Sequence, residues 1–201
     1  EGIDKSKIHF VGNCMIDSLI KYIPESKKMA PWKKYGFLGQ DYILVTLHRP
    51  SNVDDRNDLG KYMNMLNHIS KNIPIIFPAH PRTKNNIVSF DFKISNSIKI
   101  IDPLSYIEFL GLLSEARIIL TDSGGIQEES TSLQIPCVTI RNNTERPITI
   151  DQGTNILAGT EPDSIMLIID SIINGKIKEG STPALWDGKT ANRISEIISK
   201  T

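Results

Sequence analysis

The chain carries no surplus charge: 23 Lys and Arg offset 23 Asp and Glu across 201 residues. Nucleic-acid surfaces draw their affinity from a basic excess, so that class of partner is not expected. Cysteine is nearly missing. Cys14 and Cys137 lie far apart with no metal-ligand spacing, and Cys137 falls in an apolar run where a free thiol packs as a small hydrophobe. No metal is therefore expected, and the setting is a reducing one. No apolar run approaches the length of a membrane span, and no signal peptide precedes the first apolar segment. The expectation is a cytoplasmic protein without a membrane partner. Internal repeats and low-complexity tracts are also missing. So are a Gly-Lys-Ser phosphate loop and a Ser-His-Asp order, and no cofactor is expected.

What remains is a regular alternation. Short runs rich in β-branched residues, at 8–13, 42–47, 74–77, 98–101, 116–121, 135–140 and 155–158, read as strands. Between them lie segments with apolar residues three or four apart. Leu59, Met63, Leu66 and Ile69 mark one, and Ile107, Leu110 and Leu113, opened by Ser105, mark another. Residues 15–22 read as a helix stopped before Pro24, and the lysine-rich stretch 25–40 as a surface helix and loop. Helices are also read at 84–90, 162–173 and 189–199. Such alternation predicts an α/β fold, a Rossmann-like, doubly wound parallel sheet with right-handed connections, built as one domain over residues 1–201. Ligands of such sheets bind beyond the carboxyl ends of the strands. Asn13, His48, Arg49, His80, Arg82, Ser123 to Gly125 and Asn142 to Arg146 all fall at such ends.

The stretch Asp122 to Glu129, Asp-Ser-Gly-Gly-Ile-Gln-Glu-Glu, runs from a predicted buried strand into a helix. The first N–H groups of a helix lack intrahelical partners and face the positive end of its dipole, which suits an anion. Gly124 and Gly125 let that anion approach the backbone, and Ser123 adds a hydroxyl at the N-cap. Glu129, four residues after Gly125, lies on the same helix face about 6 Å further along. Glu128 is rotated by about 100° and points elsewhere. Phosphate on the turn and ribose hydroxyls on Glu129 make this a nucleotide site. An ordinary helix start with acidic residues favoured by the dipole is the alternative.

His48 and Arg49 directly follow a strand, with Asn52 at the same rim. A histidine there can act on protons or donate to a phosphate, or merely cap a turn. His80 and Arg82 sit between prolines that alone could shape a rigid loop. Arg146 suits a diphosphate through its forked donors, the alternative being a solvated loop arginine. Asp54 and Asp55 belong to a polar turn, and no carboxylate pair suited to abstracting a carbon-bound proton is visible.

These residues closely resemble the C-terminal half of the non-hydrolysing UDP-N-acetylglucosamine 2-epimerases. The matching segments include Val11-Gly12-Asn13, Thr46-Leu47-His48-Arg49, Pro78 to Thr83, Asp102-Pro103-Leu104, Thr121 to Glu129, Thr144 to Pro147 and Gly153-Thr154-Asn155. The resemblance implies one half of a two-lobed, glycosyltransferase-B-type architecture with a sugar nucleotide in the cleft. It implies interconversion of UDP-N-acetylglucosamine and UDP-N-acetylmannosamine by elimination and re-addition of UDP. Ser123, Gly124, Gly125 and Arg146 would hold the diphosphate and Glu129 the ribose. Tyr106 to Phe109 would border the uracil, and His48 would sit beside the reacting sugar. Most catalytic carboxylates would lie in an N-terminal domain outside this chain, so the 201 residues alone are expected to be inactive and the intact enzyme a homodimer.

The sequence departs from the family at two places. Pro50-Ser51 replaces an Arg-Glu that follows the His-Arg pair in many bacterial members, and His80-Pro81-Arg82 replaces a His-Leu-Asn. In bacterial members that arginine and histidine, here Arg49 and His80, help to bind a second, regulatory UDP-N-acetylglucosamine. A hydrolysing relative and a stand-alone nucleotide-binding module are the rival functions.

Overall fold

Six of the seven apolar runs are strands. In the computed structural model, which describes residues 2–200, they are β1 (Ile43–Thr46), β2 (Ile75–Pro78), β3 (Ile98–Ile101), β4 (Ile118–Thr121), β5 (Cys137–Thr139) and β6 (Asn155–Leu157). The helices are α1 (Cys14–Met29), α2 (Pro31–Lys34), α3 (Pro50–Val53), α4 (Arg56–Ile69), α5 (Pro81–Ser89), α6 (Tyr106–Ser114), α7 (Gly124–Ser132), α8 (Pro147–Asp151), α9 (Pro162–Ile173) and α10 (Thr190–Ile198).

All strand pairs are parallel, in the order β3-β2-β1-β4-β5-β6. The order reverses between β1 and β4, and the crevice beyond that reversal is where such sheets take ligands. Side chains alternate across the sheet. Ile43, Val45, Ile75, Phe77, Leu120 and Val138 pack under α4 and α9 with Leu59, Met63, Leu66, Ile165 and Ile169. Leu44, Ile76, Ile119 and Cys137 pack on the opposite face with Leu19, Leu110 and Leu113. Burial on both faces is why the strands read as continuous apolar runs. The ladders align Thr46 with Thr121 and Thr121 with Thr139. The hydroxyls of Thr46 and Thr121 lie 2.6 Å apart. β1, β4 and β5 therefore release their chains at one level.

The expected strand at 8–13 is not one. The segment is irregular, Gly12 adopts a φ of +108°, and Ile8 and Phe10 are 62% and 68% exposed. The six-stranded sheet does not extend to it, so its β-like composition has no ladder to join. The expected stop before Pro24 also fails, because α1 continues through Pro24 to Met29. An interior proline costs a helix about 3 kcal/mol, which packing must offset. Leu19, Tyr22 and Ile23 provide that packing, set against the cluster that holds Leu110 and Leu113. Gly111 lets the α1–α2 corner close in: a Cβ there would lie 2.7 Å from the Pro31 ring. α1 then ends on Ala30 in the left-handed conformation, just before Pro31. Ser105 caps α6 through a full capping box with Glu108, and α9 has the expected bounds.

Candidate functional site

β4 delivers Asp122 and Ser123 to the reversal point, and α7 starts at Gly124. Ser123 occupies the N-cap position in backbone geometry, yet its side chain makes no capping hydrogen bond. The hydroxyl thus departs from its expected capping role, and the first turn of α7 keeps uncapped N–H groups facing the crevice. Neither Gly124 nor Gly125 has a positive φ. Gly125 is explained by packing, since a Cβ would lie 2.9 Å from Met15 Cε of α1. A Cβ on Gly124 would meet nothing nearer than Glu145 Oε2 at 3.9 Å. Neither conformation nor packing requires a glycine at 124.

Helical phase separates the two glutamates as expected. Glu129 is buried and lines a cavity of about 310 Å³ with Met15, Ser18, Tyr22 and Tyr106. Burial pushes its carboxyl up to about 7; a hydrogen bond from the Tyr106 hydroxyl opposes this and the nearby Glu128 charge adds to it. Tyr22 meets the Tyr106 ring edge-on at 6.3 Å. Glu128 points the other way but remains at the site. Its Oε1 accepts from Asn13 Nδ2 at 3.0 Å and lies 3.0 Å from Arg146 Nε.

His48 and Arg49 reach the rim from β1, and Asp122 organises both. Its carboxylate is fully buried and accepts from the backbone N–H of His48 (3.0 Å) and Arg49 (2.9 Å) and from Asn52 Nδ2 (3.0 Å). His48 Nδ1 lies 2.9 Å from its second oxygen. That contact orients the ring, with Nε2 left to face outward. The Asp122 hydrogen bond raises the His48 pKa, against a smaller opposing effect of burial. Burial pushes Asp122 up, but the bonds from His48 and Arg49 outweigh it and hold its pKa below the ordinary carboxylate value.

A second cavity, about 240 Å³, is lined by His48, His80, Leu104, Phe109, Ser123 and Ile126 among others. Tyr106 lines the Glu129 cavity and Phe109 this one, so the first turn of α6 divides them. The structure thus brings His48, His80, Phe109, Ser123 and the glycine turn together, with Tyr106, Glu129 and Arg146 alongside. It does not bring Asn52 or Arg82 into these two cavities. Asn52 is buried against Asp122, and Arg82 is paired with Asp54. His80 caps α5 by accepting from the Arg82 N–H. Arg49 turns its guanidinium aside, donating to the Asp122 carbonyl at 3.0 Å, and borders a third cavity of about 380 Å³ with Arg141 and Tyr62.

Sequence reasoning gave no role to Asp122, Gln127 or Arg141 and turned Glu128 away from the ligand. Arg141 is buried and grips Glu145 with both terminal nitrogens at 2.7 and 2.6 Å. A carboxylate directly after a buried strand, beside a His-Arg pair at the end of another, was the one available signal for Asp122. Among the described residues no cluster of His, Cys, Asp or Glu could hold a metal, and no helix is long and apolar enough to cross a membrane.

The chain is similar in sequence and fold to known proteins. The sequence matches the family described as UDP-N-acetylglucosamine 2-epimerase over residues 1–199. A UDP-N-acetylglucosamine 2-epimerase of Methanococcus maripaludis is 41% identical over 98% of this chain and 56% of its own length. A UDP-2,3-diacetamido-2,3-dideoxy-D-glucuronate 2-epimerase of Pseudomonas aeruginosa is 34% identical over 100% of this chain and 55% of its length. The structure of the Methanocaldococcus jannaschii UDP-GlcNAc 2-epimerase, solved with UDP-GlcNAc and UDP, superposes with a TM-score of 0.85 at 36% identity, covering 100% of this chain and 57% of that one. The chain spans about half the length of these relatives, and its sheet is one half of their two-lobed architecture. It belongs to the UDP-N-acetylglucosamine 2-epimerase family.

Proposed function

We propose that these 201 residues form one Rossmann-like domain, the C-terminal, UDP-binding half of a UDP-sugar 2-epimerase that interconverts UDP-N-acetylglucosamine and UDP-N-acetylmannosamine. One observation carries the proposal: an uncapped glycine turn at the reversal point of the sheet, with buried Glu129 one helical turn beyond it. Ser123, Gly124, Gly125 and Arg146 take the diphosphate, and Glu129 takes the ribose hydroxyls. Tyr106 and Phe109 border the uracil. His48, held by Asp122, presents Nε2 to the reacting sugar as the catalytic group of this half. Arg49, Asn52, His80 and Arg82 support the rim, with His80 nearest to the ligand.

Epimerisation also needs groups on the opposite face of the sugar and a closed, dry cleft. An N-terminal domain of the same enzyme supplies both, and the intact cytoplasmic enzyme is a homodimer. The P. aeruginosa relative favours a second reading of the substrate, another UDP-2-acetamido sugar handled by the same UDP machinery. Calorimetric titration with UDP and UMP tests the binding half, and UDP is expected to bind more tightly. Equal affinities would remove the diphosphate role of the glycine turn. For the full-length enzyme, product analysis separates epimerisation from hydrolysis, since only the latter accumulates UDP and free sugar.

A further inference from the structure

Arg146 is braced in both backbone and side chain by a net that runs back to the helix carrying the glycine turn. Its backbone N–H donates to the Thr144 hydroxyl at 3.0 Å, and its carbonyl accepts from the Thr149 hydroxyl at 2.7 Å. Both threonines belong to one buried polar net. Gln127, fully buried on α7, accepts from Thr144 Oγ1 at 2.6 Å and from Asn155 Nδ2 at 3.2 Å. Its own amide donates to the Ser123 carbonyl at 3.1 Å. Asn155 also donates to Thr149 at 3.1 Å and accepts from Thr139 at 2.7 Å. The adjacent Glu128 forms an ion pair with the guanidinium, its Oε1 3.0 Å from an Nε that makes no aligned hydrogen bond, and is itself held by Asn13 at the start of α1. The Arg146 side chain remains 42% exposed, so it can still meet a ligand. The neighbouring Glu145 carboxylate lies 3.9 Å from where a Cβ on Gly124 would stand, which sets this loop against the turn.

We propose that Gln127 and Glu128 are positioning residues that lock Arg146 beside the glycine turn as a preformed arm, and that this arm gives the site its preference for a nucleoside diphosphate over a monophosphate. The inference rests on the assignment of the turn to a diphosphate. A free arginine loses much rotamer freedom when it grips a phosphate, and bracing it beforehand removes that loss from binding. Gln127 fixes the backbone of the arm and Glu128 fixes its head. Glu128 is also an anion close to an anion site, so its removal has two opposed consequences. Losing the brace weakens diphosphate binding, and losing the charge strengthens it. A hydrogen-bonded, nearly buried carboxylate acts chiefly through its geometry, because Arg146 already neutralises it.

The test is calorimetric titration of the chain and its variants with UDP and UMP, with folding checked by circular dichroism. Glu128→Ala and Gln127→Leu are expected to lower UDP affinity by up to about tenfold, the loss that ordering one otherwise free arginine produces. UMP affinity should stay within about twofold. Glu128→Gln keeps the oxygen that accepts from Asn13 and stands beside Arg146 Nε, and should recover part of the loss. If Gln127→Leu does not fold, Glu128→Ala and its rescue decide the matter. Equal losses of UDP and UMP would mean a structural role only, and tighter UDP binding by Glu128→Ala would mean a brake. Either result overturns the proposal. It also fails if Arg146→Ala abolishes the preference for UDP while the two brace variants keep it. Wild-type protein that binds UDP and UMP equally would instead defeat the diphosphate assignment itself.

Discussion

α4 and α7 both pack on the central strands, yet they bury opposite kinds of residue. α4 buries Leu59, Tyr62, Met63, Met65, Leu66 and Ile69. α7 buries Gln127, Glu128, Glu129, Ser130 and Thr131, every one polar. An apolar helix face is stabilising wherever it docks. A buried polar face is costly unless its groups find partners, as most of these do, the Thr131 hydroxyl being left without one. α4 therefore supplies stability, and α7 supplies geometry at some cost in stability. The net around Gln127 and the Asn13–Glu128–Arg146 chain are that geometry.

The comparison breaks most visibly in α4. Leu66 is fully buried, and Leu66→Ala should cost about 2–5 kcal/mol of folding stability in denaturant titrations. The UDP affinity of the folded protein should not change. A coupled loss of affinity would show that the two helices do not divide the work in this way.

The converse change is Glu129→Ala in α7. It should cost about 1.5–3 kcal/mol of UDP affinity, while folding stability at pH 8 stays level or rises. The pH dependence sharpens the point. The carboxyl is raised from 4.5 to about 7 in the folded chain. The native state therefore holds this proton more tightly than the unfolded one. The corresponding stability is fully present below about pH 4.5 and is lost as pH rises through about 7, roughly 3 kcal/mol at most. Glu129→Gln should flatten the unfolding curve in that window. UDP affinity should rise with pH across 7 in the wild type and rise less in Glu129→Gln, because ribose hydroxyls donate to the ionised form.

A smaller effect is expected at Asp122. Asp122→Asn keeps one acceptor oxygen for the His48 and Arg49 N–H groups but loses the charge, at a cost of about 1–2 kcal/mol in stability. The His48 pKa, followed by NMR titration of the ring protons, should fall towards its ordinary value, since the Asp122 hydrogen bond is what raises it. An unchanged titration would remove Asp122 from any role in tuning His48. The smallest change in stability is expected for Gly124→Ala, within about 1 kcal/mol and in the stabilising direction for a helical position. If the glycine is there for the ligand, UDP binding should nevertheless weaken, because the only space the new methyl occupies is the crevice.

α4 was legible because apolar residues at helical spacing announce their buried face. Glu129 was legible for a similar reason: its phase relative to Gly125 follows from helix geometry alone. Asp122 was not, because its meaning lies in His48, Arg49 and Asn52, more than 69 residues away, as the separations of 70 to 74 in its hydrogen bonds record. Gln127 was hidden in the same way, since a glutamine in a helix reads as solvent-facing until the loop that covers it is placed. At 8–13 the error ran in the opposite direction. Composition favoured a strand, but a strand exists only where a neighbour completes its ladder. Pro24 likewise marks a stop that packing of Leu19, Tyr22 and Ile23 overrode.

The level row of Thr46, Thr121 and Thr139 has a bearing on how such a site can diversify. Two ladders set the common height at which the chain leaves β1, β4 and β5, and the loops beyond take no part in setting it. The loops that leave β1 and β5 can therefore change in composition without moving the glycine turn, apart from residues such as Asn52 and Arg146 that are tied to Asp122 and to α7. Where the turn stands and which side chains surround it become separable traits, one written into the ladders and the other into the connections.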